Sequence, residues 1–492
     1  MSRENQIINE RKRKIQELVK QGINPYPHNF DKKNSVQDCL QSKIKTKVKT
    51  AGRLITKREL GKIAFARLQD FSETIQIVLQ KDETPEEVMK FFKKYIDSGD
   101  IVGIEGEIIK TKTGETSILV KDLTILTKSI LPLPEKFHGL QDKEERYRKR
   151  YLDLIMNPEV KIVFEKRAKI IEAIREILKK KNILEIDTPY LQSLYGGASA
   201  KPFETKLNAL DMNLYLAISP ELYLKRLIVG GYDRVATIAR NFRNEGIDRW
   251  HNPEFTMMEI YLAYADYNDM MDLFEEIYEY CCKKVNGSTK VEFRGKIVDF
   301  KRPWKRMKMT DAIKEFANID VYSISEQELD EFVKENNIEC KGNSWGWKVQ
   351  GIFEHFCEDK IEQPTFIIDH PIETTPLCKA HRDDKEGKLI ERFEPFCMGA
   401  ELGNAYSELN DPELQRKLLE DQQQMLSDGD DEANPLDEDF IKSIEIGMPP
   451  TGGLGLGIDR MIMLLTQQES IRDVIMFPFM KPEGIKEKKN KK

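Results

Sequence analysis

The chain has 492 residues, 40% hydrophobic and 33% charged, which supplies material for several packed domains and excludes wholesale disorder. Its 78 Lys and Arg face 84 Asp and Glu, a formal net charge of −6, so contact with nucleic acid or phosphate must come from local clustering of charge. Seven cysteines without a C-x-x-C pair point to neither a disulfide framework nor a thiolate zinc site, and no apolar run approaches the ~18 residues of a membrane helix.

Residues 1–45 form a lead-in that opens with an amphipathic helix over 4–20. Ile7, Ile8, Ile15, Leu18 and Val19 recur near the 3.6 period, and Gly22, Pro25 and Pro27 end it. The stretch has no apolar signal core and carries Glu4, Glu10 and Glu17, so a soluble cytoplasmic protein is expected. Arg11, Lys12, Arg13 and Lys14 make its other face basic: either a solvated face or an arm for nucleic acid. Residues 46–130 alternate in short runs that predict a five-stranded barrel with a helix near 85–95. Lys43, Lys45, Lys47, Lys49, Arg53, Lys57, Arg58, Lys62 and Arg67 crowd its first part. With Phe65, Phe71 and Gln76 exposed it would suit single-stranded nucleic acid; with the two rings inside it is an ordinary solvated barrel. Pro132 and Pro134 mark a linker over 131–145.

From 146 to 482 strands and helices mix in the α+β manner. A helix over 159–181 carries the stripe Val163, Ile170, Ile171, Ile174 and Ile177, and an extended piece with Pro189 follows. RVATIARNF and FTMMEIYL predict a hairpin whose long polar loop, RNEGIDRWHNPE, holds Arg243, Glu245, Arg249 and His251. On its second strand the period of two sets Phe255, Met257, Glu259 and Tyr261 on one face; a carboxylate between rings is unusual core material. Arg243 is suited to fork a carboxylate or phosphate, unless this is a surface ion-pair cluster. In ERFEPFCMGAELGNAYSELND, Leu402, Asn404, Tyr406 and Glu408 share one face of a strand, while Glu401 falls on the other and Glu394 lies further back along the run. Either these glutamates are exposed, or they hold Mg²⁺ against a nucleotide. Over 449–465 a glycine-rich extended run ends in Asp459-Arg460 and opens an apolar helix; it is neither a Rossmann nor a P-loop fingerprint. Gly453, Gly455 and Gly457 would let something flat lie against the backbone. Residues 421–439 are acidic and read as a solvated helix end and loop, and 483–492 as a disordered basic tail.

At these segments the chain resembles class II aminoacyl-tRNA synthetases, most closely the lysyl-tRNA synthetases. FRNEGI with HNPEFTMMEIYLAYADY (242–267), ELGNAYSELND (401–411) and GLGLGIDR (453–460) carry the resemblance. GGASAKPFET (196–205), SPELYLKRL (219–227) and FHGLQDKEERYRKRYLDL (137–154) add to it, and it runs from about residue 5 to 482 in the family's order of motifs. The class I signatures HIGH and KMSKS are absent.

The resemblance implies an antiparallel catalytic sheet with flanking helices, an N-terminal OB-fold barrel that reads the anticodon, a homodimer, and a helical insertion at about 270–360. It implies that lysine and ATP give lysyl-adenylate and pyrophosphate, and that the lysyl group then passes to the terminal adenosine of tRNA(Lys). In that family Arg243 holds the lysine carboxylate and the α-phosphate. Glu245 and Asn252 contact adenine, His251 lies near the phosphates, and Phe255 and Arg460 sandwich the base. Leu402 and Gly457 complete the ATP site, and Glu394 and Glu401 hold Mg²⁺. Gly197, Glu221, Glu259, Tyr261, Asn404, Tyr406 and Glu408 surround the amino acid, with Glu408 and Tyr261 at its ε-ammonium. Phe65, Gln76 and Asp122 match anticodon positions, Asp122 standing where relatives carry Glu. Trp250 stands where bacterial relatives often carry a basic residue. Three rival readings share features of this pattern: an aspartyl- or asparaginyl-tRNA synthetase, which would need cations facing the substrate side chain; a lysyl ligase acting on protein, which would lack the barrel; and an inactive RNA-binding protein, which would have lost Arg243, Glu401 or Arg460.

Overall fold

The computed structural model describes residues 2–134 and 140–483, and the chain divides after Gln141 into two compact units. Phe137, His138 and Gly139 of the 137–154 motif, and the tail from 484 onward, lie outside the described residues.

The first unit opens with helix α1 (Arg3–Lys20), started by the Ser2 hydroxyl accepting from Asn5 N at 3.2 Å. Leu18 is buried, whereas Val19 is exposed and leaves the expected stripe. The basic face is not uniformly solvated. Arg11 is buried and donates to the carbonyls of Ser98 (2.7 Å), Ser129 (3.2 Å) and Leu131 (2.8 Å), and Lys14 pairs with Asp97. After the short α2 (Val36–Gln41), strands β1 (Lys47–Leu60), β2 (Ile63–Gln69) and β3 (Thr74–Gln80) lead to α3 (Glu86–Tyr95). Then come β4 (Ile101–Lys110) and β5 (Thr116–Thr127), closing a barrel in the order β1-β2-β3-β5-β4. This is the OB arrangement: Ala64, Ala66, Leu68, Ile75, Ile77 and Leu79 alternate inward and fill the interior. Part of the basic run is used inside the unit. Lys57 donates to the carbonyls of Phe92, Lys93 and Ile96 at the end of α3, and Arg53 donates to Gly99 O.

The second unit starts with α4 (Lys143–Arg148), α5 (Arg150–Met156) and α6 (Glu159–Lys180). β6 (Leu184–Glu185) precedes a small sheet of β7 (Leu191–Gln192), β8 (Glu204–Leu207) and β9 (Met212–Leu216). Next are α7 (Glu221–Val229), the hairpin β10 (Arg234–Phe242) and β11 (Glu254–Ala263), and α8 (Tyr267–Asn286). A second hairpin, β12 (Lys290–Phe293) with β13 (Lys296–Asp299), is followed by β14 (Lys305–Lys308) and α9 (Met309–Ala317), α10 (Glu326–Glu335) and α11 (Trp345–Phe356). β15 (Thr365–Pro371), β16 (Leu389–Cys397), β17 (Ala400–Glu401) and β18 (Gly403–Ser407) come next. After α12 (Pro412–Ser427) and α13 (Glu438–Ile446), the chain returns as β19 (Thr451–Gly457), α14 (Ile458–Leu465) and α15 (Ile471–Val474).

Nine strands build the central sheet in the order β14-β15-β16-β18-β19-β11-β10-β6, with β17 paired to β16. All neighbours are antiparallel except β14–β15 and β10–β6 at the two edges. One face carries the main core: Ile170, Ile174 and Ile177 of α6, Met258 and Ile260 of β11, and Phe274, Ile277 and Tyr278 of α8. The sequence reading starts the helical insertion near 270. Instead α8 is a core element of this sheet, and the separate helical cluster, with Ile313, Val349, Ile352 and Phe353, begins at α9. Among the described residues no helix is long and apolar enough to cross a membrane.

Candidate active site

The second face of the central sheet floors a cavity of about 410 Å³. Met258 and Ile260 of β11 enter the core, so the period of two turns Phe255, Met257, Glu259 and Tyr261 to the cavity. Pairing of β11 with β19 (Glu259↔Gly455, Tyr261↔Gly453) sets these side chains beside bare backbone. A Cβ on Gly453 would overlap Glu408 Oε1 and come within 2.6 Å of the Tyr261 ring. Gly197 closes another wall with φ +84°, and a Cβ there would come within 2.9 Å of Ser219 Oγ and Glu221 Cβ. The seventeen residues expected in the catalytic half, from Gly197 to Arg460, all line this one cavity.

One end of the cavity is acidic and buried. Glu221, Glu259 and Glu408 are buried there, with Glu408 fully so. Glu259 accepts from Ser219 Oγ at 2.8 Å and from Tyr261 Oη at 3.2 Å. Burial, then the neighbouring Glu221, pushes the Glu259 carboxyl up to about 8. Glu408 is likewise pushed up to about 8 by burial, against the pull of Lys225. Lys225 is wholly buried, donates to Glu221 Oε1 at 2.6 Å and pairs with Glu408 Oε2. Burial favours its neutral form, but Glu221 and Glu408 outweigh that and keep it an ammonium. Glu408 Oε1 has no hydrogen-bond partner. Three carboxyl groups share one cation, and one carboxyl oxygen is unpartnered: a place for an ammonium, which would draw the buried carboxyls into their charged form.

The other end is cationic. Arg243 reaches the Ile218 carbonyl at 3.4 Å and lies over the Phe255 ring at 5.2 Å. Arg460, at the start of α14, donates to Glu401 O (2.6 Å) and faces Glu401 Oε2 (3.3 Å). Its other terminal nitrogen is 3.1 Å from His251 Nε2, while His251 Nδ1 is held by Asp248 at 2.8 Å. Asp459 fixes this helix start: it accepts from Thr256 N at 2.7 Å and from Arg167 of α6 at 2.5 Å. Asn252 Oδ1 is buried without a partner and lines the same end. Trp250 does not extend the cationic end; it stacks between Arg249 and Arg294, at 5.4 and 5.3 Å.

Glu394 and Glu401 lie on the wall between the two ends. The chain reverses at Met398 and Gly399, both at positive φ, so that β17 folds back on β16 (Phe396↔Glu401) before β18 sets Asn404 and Tyr406 on one face. Glu394 pairs with Arg392, and Arg392 donates to Asn404 Oδ1 at 3.0 Å, with Asn404 donating on to Tyr406 Oη at 2.6 Å. Among the described residues no three His, Cys, Asp or Glu groups converge for a metal. Two carboxylates on one wall fit a Mg²⁺ ion that arrives with phosphate oxygens of its own. Behind them Glu358 is pushed up to about 8 by burial and then by Glu394, Glu354 and Glu401, so this wall concentrates negative charge.

Sequence reasoning missed Lys225, Arg392 and the side chains that the helical cluster contributes: Lys341, Trp347, Gln350 and Glu354. Lys225 had a signal, since it follows Glu221 by four residues and so shares its helix face. On the barrel, Phe65 and Gln76 are half-buried and Asp122 is exposed, all on outward-facing positions. Gln76 donates to Ser117 Oγ at 3.0 Å, and Phe71 is 74% exposed, so neither ring reading of the barrel holds entire: Phe71 lies outside the core and Phe65 only partly.

Two family patterns match the chain. That described as "tRNA synthetases class II (D, K and N)" covers residues 142–481, and that described as "OB-fold nucleic acid binding domain" covers 48–126. The chain is 50% identical to a lysine–tRNA ligase of Methanoculleus marisnigri, covering 95% of this chain and 94% of the relative. It is 48% identical to lysine–tRNA ligase 2 of Methanosarcina mazei, over 96% and 93% of the two chains. It is 50% identical to a lysine–tRNA ligase of Clostridium perfringens, over 96% of each.

Proposed function

The chain belongs to the class II tRNA synthetases of the D, K and N group, and from that membership we propose that it joins lysine to tRNA in two steps at this cavity. The sign of the pocket carries the choice of amino acid. Glu221, Glu259 and Glu408 outnumber Lys225, whose charge is already engaged by two of them. The carboxylate of aspartate would meet like charge there, and the amide of asparagine would leave a buried carboxylate oxygen without a cation. The ε-ammonium of lysine supplies it, at Glu408 Oε1 beside Tyr261.

In the first step the carboxylate oxygen of lysine attacks the α-phosphorus of ATP. The new O–P bond forms as the bridging bond to the β-phosphate breaks, and pyrophosphate leaves. The nucleophile is ionised near neutral pH, so positioning and charge neutralisation do the catalysis and no general base is needed. Arg243, of the cationic end, holds the lysine carboxylate against the α-phosphate. His251 faces the phosphates, and adenine lies between Phe255 and Arg460 with Glu245, Asn252, Leu402 and Gly457 around it. Glu394 and Glu401 would hold Mg²⁺, which neutralises phosphate charge when bound; Arg392 and Arg460 keep those carboxylates oriented. In the second step a ribose hydroxyl of the terminal tRNA adenosine attacks the lysyl carbonyl, and AMP leaves.

The barrel favours tRNA over a protein acceptor, with Phe65, Gln76 and Asp122 as its anticodon contacts. Exposed Ile162, Leu184, Tyr190, Leu191 and Leu194 support a homodimer through the α6 region. Seven free thiols, six of them buried, suit the cytoplasm. ATP–pyrophosphate exchange with each amino acid in turn, with Mg²⁺ and without tRNA, tests the reading. Exchange with lysine alone is expected. Exchange with aspartate or asparagine would overturn the pocket assignment, and none with any amino acid would favour an inactive RNA-binding protein.

A further inference from the structure

Behind the lysine pocket stands a lysine of the chain's own. Lys225 projects from α7 one turn after Glu221, and its ammonium sits with no exposure between Glu221 Oε1, at 2.6 Å, and Glu408 Oε2. The two carboxylates come from elements far apart in sequence, α7 and the end of β18, and Lys225 is the cation that joins them. Glu408 Oε1 has neither a hydrogen-bond nor an ion-pair partner, and the missing Cβ of Gly453 leaves it room.

We propose that Lys225 is a positioning residue for amino-acid selection: by engaging one oxygen each of Glu221 and Glu408 it spaces the two carboxyl groups, draws Glu408 toward its charged form and turns their other oxygens to the ammonium groups of the substrate. The proposal rests on the reading of this cavity as the lysine site. Its physical ground is that buried carboxylates a few ångströms apart cannot both ionise without a cation. With Lys225 gone, Glu221 and Glu408 would share a proton and bond each other. Substrate would then have to expel that proton before it could bind. The charged and titratable groups around the pair are Glu221 and Lys225 of α7, Glu259 and Tyr261 of β11, Arg243 after β10, Arg392 of β16, Tyr406 of β18, and Cys378, which bridges to Glu408. Among them only Lys225 touches both carboxylates.

Lysine-dependent ATP–pyrophosphate exchange, measured from about pH 6 to 9 on the full chain and on Lys225→Met, tests this. The proposal expects KM for lysine to rise about tenfold or more near pH 7, a shift of one pH unit or more in the carboxylates being worth that factor. The rise should shrink toward pH 9, with kcat at saturating lysine and KM for ATP little changed. A scaffold role alone would lower kcat and weaken both substrates at every pH, and that result would overturn the proposal, as would an unmoved pH profile. Should Lys225→Met not fold, judged by its thermal melt, the double variant Glu221→Gln, Lys225→Met removes one carboxylate with the cation. Its pH break should return toward that of the unaltered chain while KM stays raised; a break still displaced to high pH would overturn the proposal. Failure of the unaltered chain to exchange with lysine would instead overturn the reading of the site.

Discussion

Burial sets the protonation of the individual side chains that would recognise lysine. Glu259 and Glu408 are both pushed up to about 8, so below that pH each tends to keep its proton in the empty pocket. An incoming ammonium must displace it, and KM for lysine in the unaltered enzyme is expected to climb as pH falls below about 8, by up to tenfold per unit for each linked proton. A KM that is flat in pH would contradict this. The same shift bears on stability. A carboxyl whose native value lies above its unfolded one loses stability as pH rises between the two, and Glu259 does so from the ordinary carboxylate range up to about 8. Glu259→Gln should therefore raise the melting temperature at mildly alkaline pH, by about 2–4 °C per kcal/mol recovered, while lysine binding collapses. Glu408→Gln should raise KM for lysine by about 10–100-fold, the worth of a hydrogen bond to a charged group, and disturb KM for ATP far less. Glu259 and Tyr261 were legible because a period of two needs only local sequence. Lys225 carried only the weak signal of its spacing from Glu221, because a lysine beside an arginine in SPELYLKRL looks like any solvated helix face until tertiary packing shows what covers it.

At the scale of elements, the pocket depends on strands that lack side chains. β19 faces β11 through Gly453, Gly455 and Gly457, and Glu408 and Tyr261 fill the room at Gly453. Gly453→Ala should drive these two apart and raise KM for lysine by about tenfold or more, with far-UV circular dichroism little changed, because strand β19 tolerates alanine along its backbone. The glycines of GLGLGIDR were visible as a close approach of backbone to something flat. That the neighbour at Gly453 is a carboxylate from β18 follows only from the register of the sheet. One element was misread for a reason of the same kind. Helix α8 carries an apolar stripe that would equally serve an inserted helical cluster, and only its burial against β11 and α6 assigns it to the core.

For the whole molecule, the barrel and the catalytic unit are separate compact bodies, so damage to one should not propagate to the chemistry of the other. Phe65→Ala should cut kcat/KM for tRNA charging by about 10–100-fold, the worth of one stacked base, and leave ATP–pyrophosphate exchange intact. Equal losses in both assays would place Phe65 in the scaffold instead. The order of the central sheet carries a consequence for synthesis. β11 lies between β10, its hairpin partner, and β19, which the ribosome delivers about 190 residues later, roughly ten to forty seconds at ordinary elongation rates. Until then β11, with the polar groups of one backbone edge unsatisfied, has no neighbour on that side, and the nascent chain presents an open template for stray strands. A chaperone that shields this edge during translation would raise the yield of folded chain.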